Sequence, residues 1–279
     1  MKVAVTAASG QLGSAIIRAL VKETGTENVV GIARTPEKAD HPGVEIRKGD
    51  YNSYENFREA LKDIEVVLLV SGFDTPDKRI SQHRNIIRAA SDCGVRKIVY
   101  TSIIGKEGET TFDPIIRSNR QTEKDIRGSG LQWSIGRNGL YIEPDVEYME
   151  TYTKEGKVAN CAGEGLCSYT TRKELAHAYT QMILLEDRNQ KVFNLAGEAL
   201  TQKQLTGYLN RAFGTNLVYE DLSPEAYLEF QVKTNGEYLG PIIAGIYKKI
   251  RNGEFALPSD YALAAGREHL VWDYYFEFV

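Results

Sequence analysis

Short runs of β-branched and aliphatic residues recur through the first half of the chain. They are separated by stretches whose apolar positions fall at helical spacing. Val3-Ala4-Val5 opens the series, and the next stretch, Gln11 to Lys22, carries Leu12, Ala15, Ile16, Ala19 and Leu20 on one face. Strands are predicted again at Val29–Ile32, Val44–Lys48, Val66–Val70, Lys97–Thr101 and Leu131–Ile135. Helices are predicted between them, around Ser53–Lys62, Asp77–Asp92 and Ile115–Arg127. Val66–Val70 is apolar throughout, the pattern of a central strand covered on both faces. Strands alternating with helices in this way form βαβ units, and right-handed crossovers then give an α/β fold with a doubly wound parallel sheet of the Rossmann type.

After Tyr141 the rhythm loosens. Lys191–Ala196 reads as a late strand, Thr201-Gln-Lys-Gln204 as a capping box opening a helix to about Phe213, and Ser223-Pro224 as the start of another helix. Gly240–Arg251 carries Ile242, Ile243, Ile246 and Ile250 on one stripe. No repeat or glycine-serine linker divides the halves. The expected organisation is a dinucleotide-binding domain over residues 1–140 and a smaller α/β substrate-binding lobe over 141–279.

Charge and cysteine content narrow the function classes. A formal net charge of -4 argues against nucleic acid as a partner, and the cluster Lys248-Lys249-Ile250-Arg251 reads as a solvated helix face. Cys93, Cys161 and Cys167 cannot all pair and show no metal-ligand spacing, so neither a disulfide framework nor a metal site is expected. A reducing cytoplasm fits. The chain opens on a strand without a secretory leader pattern, and no apolar run reaches the roughly 20 residues of a membrane helix.

The candidate chemistry begins at "TAASGQLG", residues 6–13. Ala7-x-x-Gly10-x-x-Gly13 lies at a strand end and opens a helix, the context of a dinucleotide fingerprint with alanine in place of its first glycine. Gly10 lets backbone approach a pyrophosphate, Gly13 lets the helix pack on the strand, and the helix N-terminus offers N–H groups to phosphate. Alanine at position 7 is expected to keep φ negative. Cofactor contacts are expected from Thr6, Ala8, Ser9, Gly10, Gln11, Leu12 and Gly13. The tip of the second strand, Ala33-Arg34-Thr35-Pro36, has no carboxylate to take a ribose diol, whereas Arg34 can clamp a 2′-phosphate, favouring NADP over NAD. Asp50 and Tyr51 follow the third strand within reach of an adenine.

"TAASGQLG", "IARTPEKA", "GDYN", "QHRNIIRAA", "KIVYTS" and "RNGLY" occur in the order and at the relative positions found in NmrA-like atypical short-chain dehydrogenases. The chain resembles in particular the NADPH-dependent type-2 quinone oxidoreductases and the triphenylmethane dye reductases. The resemblance thins after about residue 225; Ala7 and the tail "VWDYYFEFV" depart from it. It implies NADP(H) as cofactor and a small conjugated molecule such as a quinone as acceptor. Two other readings stay open: a reductase of a specific natural product, and a redox sensor that binds NADP(H) and a protein partner. Association as a homodimer also stays open.

Short-chain dehydrogenases ordinarily protonate their product with a Tyr-x-x-x-Lys pair on the helix after the fifth strand. That helix has no tyrosine here. The spacing occurs only at Tyr169–Lys173, far downstream, in a chain with 16 tyrosines, where a chance match is expected. Similar proteins carry histidine or lysine near the position of Asn119, and an asparagine is no acid. Glu123 is expected as a hydrogen-bonding support or an exposed helix carboxylate. No catalytic residue is therefore assigned. His83 reads as a packing residue; His41, His177 and His269 are isolated, and neither HExxH nor GxSxG occurs. Val70, Ser71, Gly72 and Thr101 are expected to flank the nicotinamide, and Phe73, Ser102, Ile103, Asn138 and Tyr141 to line the acceptor pocket. The polar stretch Gly105–Asp113 reads as a mobile lid.

Overall fold

In the computed structural model, which describes residues 1–279, the apolar runs become β1 (Val3–Thr6), β2 (Val29–Ala33), β3 (Glu45–Lys48), β4 (Val66–Leu69), β5 (Lys97–Ile103) and β6 (Gln132–Asn138). Between them run α1 (Gln11–Thr24), α2 (Tyr54–Ala60), α3 (Pro76–Asp92) and α4 (Asp113–Arg127). The chain continues through β7 (Leu140–Tyr141), α5 (Glu143–Glu147), α6 (Met149–Glu155), β8 (Lys157–Asn160), β9 (Tyr169–Thr170), α7 (Arg172–Leu184) and β10 (Lys191–Leu195). It ends with α8 (Gln202–Phe213), β11 (Val218–Asp221), α9 (Pro224–Arg251), α10 (Tyr261–Ala265) and α11 (Trp272–Glu277).

One seven-stranded sheet has the order β10-β6-β5-β4-β1-β2-β3 and is parallel throughout. The order reverses between β1 and β4, which places the ligand crevice outside their carboxyl ends. Leu12, Ile16 and Leu20 of α1 share one core with Leu175, Tyr179 and Met182 of α7 and Tyr261 of α10. Phe57, Ile86, Ala90 and Ile126 of α2, α3 and α4 fill the other face. A third core, with Ile104, Phe112, Ile142, Leu205, Phe255 and Trp272, lies past the ends of β5 and β6.

The division expected at residue 140 does not separate two bodies in space. β10 pairs with β6, Val192 opposite Ile135, and α7 packs on α1. Without β10 the β6 edge would present unpaired backbone groups. α9 breaks at Gly236 (φ 78°), a left-handed conformation that glycine adopts without strain, and its second piece is the helix predicted from Gly240. Two further expectations are corrected there. Lys249 is fully buried rather than solvated, and its ammonium meets the Asp113 carboxylate at 3.0 Å. That carboxylate also accepts the Gly108 and Thr110 N–H groups, both at 2.6 Å, so the stretch read as a lid is tied to α9.

Candidate active site

The β1–α1 turn is built around backbone carbonyls. Ala8 N–H donates to Ile32 O at 3.0 Å, and Gly10 N–H to Ala7 O at 2.9 Å. A Cβ on Gly13 would stand 2.4 Å from Ala7 O, so only glycine permits this approach of helix to turn. Ala7 does not keep a negative φ; it sits at φ 51°, because the turn needs a left-handed residue at the position where the fingerprint has glycine. Ala7→Gly should therefore raise stability by about 0.5–1 kcal/mol, the relieved strain exceeding glycine's added chain entropy. Chemical denaturation checks this, and a destabilised variant would contradict it.

No side chain caps α1 and no acid lies in its first turn, so its leading N–H groups are free to receive an anion. His41, which sequence patterns did not single out, is buried and holds the turn through Nε2–H to Ala8 O at 2.9 Å. Arg34 stands exposed at the β2 tip and forms no ion pair. A groove of about 840 Å³ runs from Ser9, Gly10 and Gln11 down between α1 and α7. None of its lining comes from β4, β5 or the loops that directly follow them.

At the switch point, Thr6 Oγ1 accepts Val70 N–H at 2.9 Å and meets the Tyr51 hydroxyl at 2.6 Å, and that hydroxyl donates to Val70 O at 2.7 Å. Tyr51 thus ties β1 to β4, and burial raises its pKa. Asp50 closes its own turn, accepting Asn52 N–H at 2.9 Å. Beyond β4, Ser71 N–H donates to Thr101 Oγ1 at 2.8 Å and Gly72 N–H to His83 Nε2 at 2.9 Å. His83 is therefore an acceptor at Nε2, with Nδ1 against Thr122 Oγ1 at 2.9 Å. Burial, and then the Arg79 charge, push its imidazole down to about 3, so it is neutral at physiological pH. Asn119 Oδ1 receives the Tyr100 hydroxyl at 2.7 Å and the Ser71 hydroxyl at 3.3 Å.

Glu123 is a support, not an exposed helix carboxylate. It is 2% exposed and accepts Ser102 Oγ at 2.7 Å, Arg120 at 2.8 Å, and Arg137 at 2.9 and 2.6 Å. Burial pushes its carboxyl up, but the Arg137 hydrogen bond, the Arg120 charge and the Ser102 hydroxyl outweigh it, so the net shift is down. Ser102 is spent on this network, while Ile103 beside it stays half-buried. Asn138 is oriented by the Tyr179 hydroxyl at 2.5 Å and donates to the Tyr141 hydroxyl at 3.3 Å. Phe73 is 86% exposed at the mouth of the β4–α3 loop.

Tyr169 and Lys173 do not form a pair. Tyr169 is buried in the third core with its hydroxyl accepting from Gln202 Nε2 at 2.8 Å, whereas Lys173 points to solvent. Tyr169→Phe should cost about 1 kcal/mol of stability through the lost hydrogen bond and leave turnover within about twofold. A 100-fold fall in kcat, the scale of a lost general acid, would contradict this.

The glycine-lined turn, the uncapped helix start and the unpaired Arg34 together fit a phosphorylated dinucleotide. The molecule is thus, by fold and site, a dinucleotide-binding α/β protein. The model of the NAD(P)H-binding family matches residues 7–184. Quinone oxidoreductase 2 of Escherichia coli K12 is 33% identical over 225 residues, spanning 79% of this chain and 78% of that one. The structure of NADPH-dependent quinone oxidoreductase from E. coli complexed with NADPH superposes with a TM-score of 0.89 at 27% identity, covering 98% of both chains. Citrobacter sp. triphenylmethane reductase complexed with NADP(H) gives a TM-score of 0.89 at 31% identity, again over 98% of both. The chain belongs to the NAD(P)H-binding family.

Proposed function

We propose that this protein reduces a quinone or similar conjugated acceptor without a Tyr–Lys acid pair. Bound NADPH supplies the hydride. The first-turn N–H groups of α1 and the backbone at Ser9–Gly10 receive the pyrophosphate, and Arg34 clamps the 2′-phosphate. Asp50 and the Tyr51 ring border the adenine. Ser71, Gly72 and Thr101 flank the nicotinamide, held by the hydrogen bonds from Thr6, His83 and Asn119. Ile103, Asn138 and Tyr141 bound the acceptor, Phe73 offers it a flat surface, and Ser102 acts through Glu123 to fix the β5 end.

The observation that carries the reading is the side chain of Asn119. In this reading it takes the position where similar proteins carry histidine or lysine, and its amide oxygen, already engaged by Tyr100 and Ser71, belongs to a side chain that is no acid. Burial raises the Tyr100 phenol to about 12, so it is protonated near neutral pH, and its proton is already donated to Asn119 Oδ1 at 2.7 Å. A ketone reduced to a strongly basic alkoxide suffers without a proton donor. A quinone reduced to a phenolate, or a cationic dye reduced to a neutral product, does not, and positioning then supplies most of the rate.

The test is NADPH oxidation with a panel of benzoquinones, naphthoquinones, triphenylmethane dyes, and simple aldehydes and ketones. Turnover is expected with the quinones and dyes and little with the carbonyl compounds. No turnover on any acceptor, together with binding that distinguishes NADPH from NADP⁺, would identify a redox sensor instead.

A further inference from the structure

The groove between α1 and α7, about 840 Å³ in volume, is of the size that takes a small molecule, and its walls are cationic. Ser14, Arg18 and Lys22 follow one another along the α1 wall at intervals of about 6 Å, close to one helical turn. Lys173, His177 and Thr180 form the α7 wall, with the small side chains of Ala15, Ala19 and Ala176 between the two. Three of the cations have no carboxylate partner. Arg18 is exposed and donates only to Ser14 Oγ at 2.8 Å, and Lys22 and Lys173, also exposed, form no ion pair. At the rim, Arg172 is paired with Glu147 at 3.1 Å and Arg267 with Glu174 at 2.7 Å. The two carboxylates of the lining do not answer the free cations. Glu143 accepts the Arg172 N–H at 2.6 Å, and Glu23 follows Lys22 directly, a spacing at which side chains do not face each other.

Local electrostatics disfavour these positions twice over. Arg18 and Lys22 are like charges four residues apart, which repel along a helix. Arg172 and Lys173 occupy the first turn of α7, the positive end of its dipole, where carboxylates are favoured. An anion lying between the walls relieves both. We propose that this groove binds a small organic molecule bearing two phosphate groups, at a site separate from the cofactor's. Two phosphate monoesters carry a charge of about −3 to −4, which three unpaired cations on facing walls complement, whereas one phosphate meets only part of the row. Lysine takes a phosphate as a point charge and arginine through paired N–H groups, and the alanines leave room for the organic body. Arg34, at the β2 tip, takes no part in the lining, and the groove meets the phosphate turn only at its upper end, through Ser9, Gly10 and Gln11. The inference is independent of the reductase reading, because no step of hydride transfer uses the groove's cations.

Calorimetric titration with fructose 1,6-bisphosphate, against fructose 6-phosphate as its one-phosphate counterpart, tests this on native protein saturated with NADP⁺ so that the phosphate turn is occupied. The bisphosphate should bind about tenfold tighter or more, the scale of an added charge-assisted contact, and both affinities should fall as salt is raised. Lys22→Gln and Lys173→Gln should each weaken the bisphosphate about fivefold or more. Neither variant loses an internal partner, so melting temperature should hold and NADPH affinity should stay within about twofold. Arg34→Ala, outside the groove, should leave the bisphosphate's affinity as it is. Failure of the native protein to bind the bisphosphate, equal affinity for the two sugars, or binding that survives both lysine substitutions would overturn the proposal. Binding seen only while the turn is free of NADP⁺ would overturn it too, by placing the probe on the turn. Native protein that binds the bisphosphate yet oxidises no NADPH with any acceptor would uphold this site and defeat the reductase reading alone.

Discussion

Glu123→Ala is expected to lower the free energy of unfolding by about 3 kcal/mol, the scale of removing one partner from a buried ion pair. Glu123 gathers Arg120, Arg137 and Ser102 within 2.9 Å, and Arg127 stands at 3.5 Å. Without the carboxylate, Arg120 and Arg137 would face each other across the end of β5 with no counter-ion. Their partial exposure, 17% and 27%, lets water recover some of the loss, which keeps the effect below the top of the usual range. Because the folded-state pKa of Glu123 is depressed, its contribution is fully present above the unfolded carboxyl pKa and disappears as pH falls through the folded value. Denaturant unfolding at neutral and acidic pH should thus show a native-to-variant gap that narrows on acidification. Equal stability at neutral pH, or a gap that widens in acid, would contradict the network's role.

Arg34→Ala should weaken NADPH binding by about 10- to 150-fold, the equivalent of roughly 1.5–3 kcal/mol for a charge-assisted contact. NADH, which has no 2′-phosphate, should be little affected. Arg34 has no internal ion pair to lose, so the fold should keep its stability and any change belongs to the ligand. Calorimetric titration of both cofactors checks this. An equal loss for NADPH and NADH would show that Arg34 does not read the phosphate.

The sheet was legible because its strands are continuous apolar runs, as in Val66–Leu69, where burial on both faces removes any alternation. The phosphate turn was legible from Gly10 and Gly13, whose missing side chains are what the close packing requires. α7 was not foreseen. Glu174, Leu175, Ala176, Ala178, Tyr179, Thr180, Met182 and Ile183 are all buried, so contact with β strands, α1 and α10 erases the one-sided stripe by which a helix is read. Charged residues inside were equally hidden. Lys249 reads as part of a solvated face and Glu123 equally as a support or an exposed carboxylate, and only tertiary contacts show what each one meets. His41 reaches Ala8 across 33 residues, and no local spacing announces such a contact. The left-handed Ala7 was misread because alanine disfavours that conformation, yet the turn's hydrogen bonds impose it.

The most direct test of hydride transfer without a dedicated acid is a single-turnover experiment with NADPH, and with NADPH deuterated at the transferred C4 position, against a naphthoquinone over a range of pH. Rapid oxidation is predicted, slower with deuterium where hydride transfer limits the step, and with no steep dependence on one protein acid near neutral pH. NADPH that binds tightly yet stays unoxidised, or a rate that collapses through a single acidic pKa, would contradict it.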